Sequence, residues 1–341
     1  MSNARRAVPS FSFNGKNVTT TIAPYLESVS YEDIASGNSD SLYVSLHNVD
    51  FKWLDKWYPQ KGDRVEGSIT FKNWEKDGEN LKLSCGVFVL DEIKFSGGPL
   101  SLSLGCLAIP ADESFKTRER TKTWKNVTIR QIAENIASEY NLQLFYSGAD
   151  IQIDSLEQSQ KTDSAFLYEL CEEYGLSMKV YNNKIVIYEQ TAQEELKAVA
   201  TLNRRSFIGD EWEYTDAFEG TYTGARISYK TAYDNKEISI YVGLKAEDSA
   251  GSRMLKVTET ASSEADARRK AVAKVNRSNE KTTDLSGLIW VNPKICAGVC
   301  VNVIDMGKIS GKYFVDKCVT EVSSWGAKQT VSMHKCQQRL K

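Results

Sequence analysis

The sequence predicts an α+β fold that is mainly β: two antiparallel β segments flanking a small α/β domain. Three observations predict it. Residues alternate with period two from Ser41 to about Ile109, two helix-then-strand phrases follow at 132–145 and 166–180, and period two returns after about Arg205. The 341 residues, 41% of them hydrophobic, suffice for two or three domains with real cores. The boundaries read as 1–115, 116–200 and 201–341.

In the first segment Leu42, Val44 and Leu46 share one face, as do Val65, Gly67, Ile69 and Phe71, and then Leu100, Leu102 and Leu104. Asp77-Gly78 and Gly97-Gly98-Pro99 separate these runs as turns. The stretch KWYPQKGDRVEGSI, Lys56 to Ile69, sets Gly62-Asp63 at the mouth of one strand. Pro59 fixes the chain there and Gly62 permits the turn, so this pair reads as a sheet corner and not a phosphate or metal loop.

The phrases IAENIASEYNLQLF and FLYELCEEYGLSMKV superpose at an offset of 34 residues, each an amphipathic helix running into a strand. Thr128 with Gln131 forms a capping-box pattern for the first helix, which ends near Asn141. Asp163 or Ser164 caps the second, which stops at Gly175; the NNKIVIYE run after Val180 is a further strand. Glu172 and Glu173 fall on the outer helix face.

Gln190 to Arg205 reads as a polar connector. Beyond it Arg226–Lys230, Lys236–Val242, Val299–Ile304 and Lys312–Val322 alternate around the turn candidates Asp234-Asn235, Gly307 and Gly326. One helix interrupts them at 263–277, with Ala267, Ala271, Val272 and Val275 inward and its basic residues outward. Gly62, Val65 and Gly67 have a faint echo in Gly298, Val301 and Val303.

Lys and Arg total 43 against 45 Asp and Glu, a balance that supplies no global field for nucleic acid or an anionic membrane. The N-terminal run after Arg5 and Arg6 lacks the apolar core of a signal peptide, so synthesis is expected in the cytoplasm. Seven cysteines, an odd number without a CxxC pair, fit a reducing compartment.

No catalytic, cofactor-binding or metal-ligating residues are predicted. His47 and His334, the only histidines, read as surface or interface residues. Ser278-Asn279-Glu280-Lys281 matches a Ser-x-x-Lys pattern without its companion motifs, and Gly307–Lys312 is one residue short of a phosphate loop, with Tyr313 where its hydroxyl belongs. Cys296 and Cys300, tested with Cys318 and Cys336, would lie about 13 Å apart in a strand, too far to share one zinc ion. The basic run Lys116 to Lys125 has a single aromatic and reads as a solvated strand or linker rather than a nucleic-acid channel. Trp53, Trp57 and Trp74 motivate an alternative: a cell-wall hydrolase or carbohydrate-binding component.

The phrases ARRAVPSFSFNGKNVTTTIAPYLESVSYED, DKWYPQKGDRVEGSI, CGVFVLDEIKFSGGP, RTKTWKNVTIRQIAENIASEYNL and DSAFLYELCEEYGLSMKV resemble, in that order, the phage late control protein D family. That family includes the baseplate hub proteins of contractile phages and bacteriocin-like tail particles. The resemblance covers most of residues 5 to 190; the last 140 or so match only in pattern. It implies two barrels of the tail-tube type with the smaller domain between them. It also implies a structural hub without enzymatic activity, resident in the baseplate of a virion or tail particle assembled in the bacterial cytoplasm. The implied partners are two further copies of the chain in a homotrimer, the tail tube protein, a separate spike protein, the tape-measure protein and other baseplate proteins. No membrane and no specific nucleic acid are expected among them.

Overall fold

A computed structural model describes residues 4–109, 112, 114–230 and 237–340. Strands take up half of the chain. The first segment supplies β1 (Arg6–Phe13), β2 (Lys16–Asn17), a one-turn helix α1 (Thr19–Ile22), β3 (Leu26–Ile34), β4 (Ser41–His47), β5 (Arg64–Lys72), β6 (Asn80–Gly97) and β7 (Leu100–Leu107). Alternation does here what the sequence expects: Leu42, Val65, Ile69, Phe71, Leu102 and Leu104 are fully buried in one core, while the intervening residues face out. Gly78, with φ +82°, makes the β5–β6 turn.

The middle segment holds α2 (Ser114–Thr117), β8 (Glu119–Thr128), α3 (Ile129–Glu139), β9 (Gln143–Ser147), β10 (Gln152–Thr162), α4 (Asp163–Glu173), β11 (Leu176–Tyr181) and β12 (Lys184–Glu189). β8 and β10 form a two-stranded ribbon; β12 lies between antiparallel β11 and parallel β9. Both helices press their apolar stripes, including Ile132, Ile136, Leu167 and Leu170, onto this sheet. The basic run is thus largely strand β8, and Arg120 within it is tied to Asp163 at 3.2 Å.

The last segment contributes α5 (Gln190–Glu195), β13 (Ala200–Leu202), β14 (Phe207–Asp216), β15 (Gly224–Lys230), β16 (Glu237–Gly243), β17 (Met254–Val257), α6 (Glu264–Glu280), β18 (Thr283–Trp290), β19 (Cys300–Val303), β20 (Gly311–Ser323) and β21 (Gly326–Lys335). The turn candidate Asp234-Asn235 and the strand start at Lys236 lie outside the described residues. β15, β16 and β17 form their own sheet, and α6 covers it through Ala267, Ala271 and Val275. The expected connector 190–205 is folded, because β13 pairs in parallel with β19 and α5 carries a buried carboxylate.

The long-range pairing is the main addition to the sequence reading. β20 pairs with β21 along nearly its whole length and, on its other side, with β19 at its start and with β3 along its second half, so strands of the first and last segments belong to one sheet. Its order is β14-β18-β21-β20-β3-β4-β7-β6-β5-β1-β2, an open strip; no closed barrel occurs among the described residues.

The faint echo has a structural counterpart. Gly62 (φ +90°) donates to Leu90 O at 2.8 Å, and Leu90 N returns a bond to Asp63 O at 2.9 Å. Gly298 (φ +87°) donates to Val315 O at 2.8 Å, and Val315 N returns one to Val299 O at 2.9 Å. In each case a strand begins two residues after the glycine, β5 in one and β19 in the other.

Candidate functional site

Two buried charge clusters and a set of exposed apolar side chains are the places where this chain has something to do. The first cluster joins the middle segment to both β segments. Lys179, projecting from β11, lies 2.7 Å from Asp33 Oδ1, 3.2 Å from Asp40 Oδ1 and 2.9 Å from Ile34 O. Asp40 is wholly buried and also accepts from Ile34 N and Tyr31 Oη, while Asp33 Oδ2 accepts from Ala297 N at 2.9 Å. Two carboxylates share one ammonium. Burial raises the Asp40 carboxyl to about 6, and Lys179 only partly offsets it.

The second cluster surrounds His334, which is 3% exposed and buried within the chain, where the sequence suggested a surface or interface residue. Its Nδ1 lies 2.8 Å from Asp316 and its Nε2 3.1 Å from Glu194 Oε1. Burial alone would lower this imidazole; the hydrogen bonds to Asp316 and Glu194 override it and raise it to about 10. Burial also works to raise Glu194, yet bonds from His334 and Arg339 bring it below its ordinary range. Glu280, raised by burial, pairs with Arg277 at 2.9 Å.

Glu280, Asp316 and His334 offer ligand atoms within 4.8 Å of one another, a grouping that the sequence reading missed. Three carboxylates here meet an imidazolium and two guanidiniums, so the charges already balance; a metal ion would first have to displace a proton held with a pKa near 10. The arrangement is an ion network pinning α5 and the C-terminal tail to β21 and α6. No primary-sequence signal marks it, since Glu194 and Arg339 are 145 residues apart.

The other candidates resolve into structure. Ser278 Oγ donates to Gly220 O at 2.7 Å, and the fully buried Tyr313 donates to Ile309 O at 2.6 Å. His47 is half-buried and donates through Nε2 to Pro24 O. Cys296 lies in the loop before β19, not in a strand, while Cys300 and Cys318 are buried in β19 and β20. Thr162, not Asp163 or Ser164, caps α4 by accepting from Ala165 N, and Asp163 turns inward to accept from Tyr140 Oη at 2.6 Å. Glu172 and Glu173 are not solvated: they pair with Arg277 at 3.1 Å and Lys270 at 2.6 Å, fastening α4 to α6. Lys270 is correspondingly buried, against the expectation that the basic residues of this helix face outward.

Among the aromatics, Trp53 is buried and Trp57 and Trp74 half-buried, Trp74 donating to Val291 O at 2.8 Å. Rings so engaged are anchors and offer no open platform for a sugar. The exposed apolar side chains are others, among them Val49, Phe51, Leu54 and Tyr58 on the β4–β5 loop, Phe218 after β14, Trp290 at the end of β18 and Trp325 on the β20–β21 turn. Such patches suit contacts with other subunits.

No family model matches the chain. It is 25% identical over 238 residues, 68% of its length, to a probable baseplate hub protein of Escherichia phage 186. It is equally 25% identical over 232 residues, 65% of its length, to a probable baseplate hub protein of Escherichia phage P2. The chain spans 58% and 56% of those relatives. Its fold matches the 43 kDa tail protein of prophage MuSo2 from Shewanella oneidensis with a TM-score of 0.70, covering 97% of this chain and 98% of that one at 13% identity. The motifs, the curated relatives and the shared fold agree: this chain is similar to the probable baseplate hub proteins of phages 186 and P2 and has the fold of a phage tail protein.

Proposed function

We propose that the chain is a structural, non-enzymatic baseplate hub protein of a contractile phage tail or tail-like particle. It works as a homotrimer that joins the tail tube to a separate central spike, with the tape-measure protein and other baseplate proteins as neighbours. The observation that carries this reading is the paired corner at Gly62 and Gly298, with the same backbone conformation and the same reciprocal hydrogen bonds. It supports two similar tube-like β units per chain, at 1–115 and 201–341, with the α/β domain of 116–200 between them. Three such chains offer six units to a six-fold tube and keep three-fold symmetry for a spike.

Electron microscopy of assembled particles tests this directly. Three copies of the chain in one ring at the tube–spike junction is the expected outcome. Six copies per ring, or absence of the chain from the particle, rejects the reading.

A further inference from the structure

The strip of strands in each chain ends in two unlike edges, and their charges are opposite. At one end β14 has a single neighbour, β18. Its outward residues Glu211 and Glu213 are exposed, and Asp284 stands opposite Thr215 on the same face. Asp284 is raised above its ordinary range, first by burial, with Asp316 and Glu213 adding repulsion. No cation pairs with Glu211, Glu213 or Asp284 among the described residues.

At the other end β1 is paired along its length with β5 and carries only the two-residue β2 on its far side. Arg6 stands directly opposite Lys72, and Lys82 lies opposite Thr70, one position further along the same outward face. All three are exposed and without an acidic partner among the described residues. Like charges placed directly across a strand pair repel, so this row is unsatisfied in the single chain. Pro9 within β1 removes a backbone donor, as edge strands commonly do to discourage indiscriminate pairing.

We infer that the acidic β14–β18 edge of one copy docks against the basic β1–β5 edge of a second copy, head to tail, so that Glu211 and Glu213 meet Arg6 and Lys72. The inference rests on the cyclic assembly proposed above and names the surfaces that close it. A heterologous contact between unlike surfaces at opposite ends of the strip is what a ring requires. Complementary charge also fixes the polarity of the ring, because acid against acid and base against base are both repelled.

The test uses the full chain in sedimentation at low ionic strength. The wild type associates and dissociates as salt is raised, since screening acts within a Debye length of about 8 Å at physiological ionic strength. Glu211→Lys with Glu213→Lys weakens self-association by at least about tenfold, and so does Arg6→Glu with Lys72→Glu. Each doubly reversed protein carries one sign on both edges, so mixing the two restores pairwise association as a heterodimer, while an alternating set cannot close a ring of three. Wild-type association that both reversals leave intact overturns the edge assignment while leaving the trimeric hub standing. So does a mixture that fails to recombine, or a wild type that stays monomeric at every concentration; in those cases the copy number in particles judges the hub reading separately.

Discussion

Gly62 and Gly298 occupy the same local geometry 236 positions apart: left-handed backbone at φ +90° and +87°, a donated bond of 2.8 Å to the facing strand and a returned one of 2.9 Å to the next residue. Neither has any atom within 4 Å of where a Cβ would stand. Gly62→Ala and Gly298→Ala therefore test backbone strain alone, and each costs about 1 kcal/mol, nearly equally. Urea unfolding of both variants checks it; a large inequality would mean that the two corners are not equivalent.

Asp40 gives the stability a definite pH dependence. Its folded value, about 6, lies above that of an unfolded aspartate, so the protonated form favours folding. The contribution is fully present below about pH 4 and is lost as pH rises through 6. Asp40→Asn is expected to flatten the stability profile between about pH 4 and 6, read from unfolding midpoints at several pH values. An unchanged slope would assign the titration elsewhere.

His334 acts in the opposite range. With a folded value of about 10 against about 6.5 when unfolded, its contribution is present below about pH 6.5 and lost as pH rises through 10. His334→Ala leaves Glu194 and Asp316 without their shared partner and costs about 3 to 5 kcal/mol at neutral pH. Thermal or urea unfolding measures it, and a silent substitution would contradict the network described for α5 and the C-terminal tail.

In the α/β domain Leu170, which is 3% exposed, and Glu172 discriminate core from contact. Leu170→Asp puts an unpaired charge among apolar side chains and costs several kcal/mol. Glu172→Ala costs only about 0.5 to 1 kcal/mol, through the lost pairing with Arg277, which keeps Glu280. Equal effects in unfolding experiments would place the helical register wrongly.

Gly287 lies where strand β18 meets β14. A Cβ there would stand 2.4 Å from Phe207 Cδ1 and 3.1 Å from Glu211 O, which is backbone and yields poorly. Gly287→Ala is expected to cost about 1 to 3 kcal/mol and, by displacing β14, to weaken self-association as well. A variant of native stability and association would show that the β14 edge adjusts freely.

What the sequence by itself determined was local. Period-two alternation placed Leu42, Val44 and Leu46 in the core, the capping box at Thr128 and Gln131 started α3, and Gly175 stopped α4, because each depends on residues a few positions apart. The order of segments and the resemblance carried by residues 5 to 190 were legible for the same reason.

What only the tertiary structure decided was pairing over long separations. Nothing in the alternation of β3 or β20 specifies that Val29 faces Val322 across the strip, since any apolar strand of matching face satisfies that pattern. The buried ions were hidden more deeply. Lys179 and His334 look like ordinary polar positions in one dimension, and they are taken out of water because partners 139 to 146 residues away offset the cost of burying their charges.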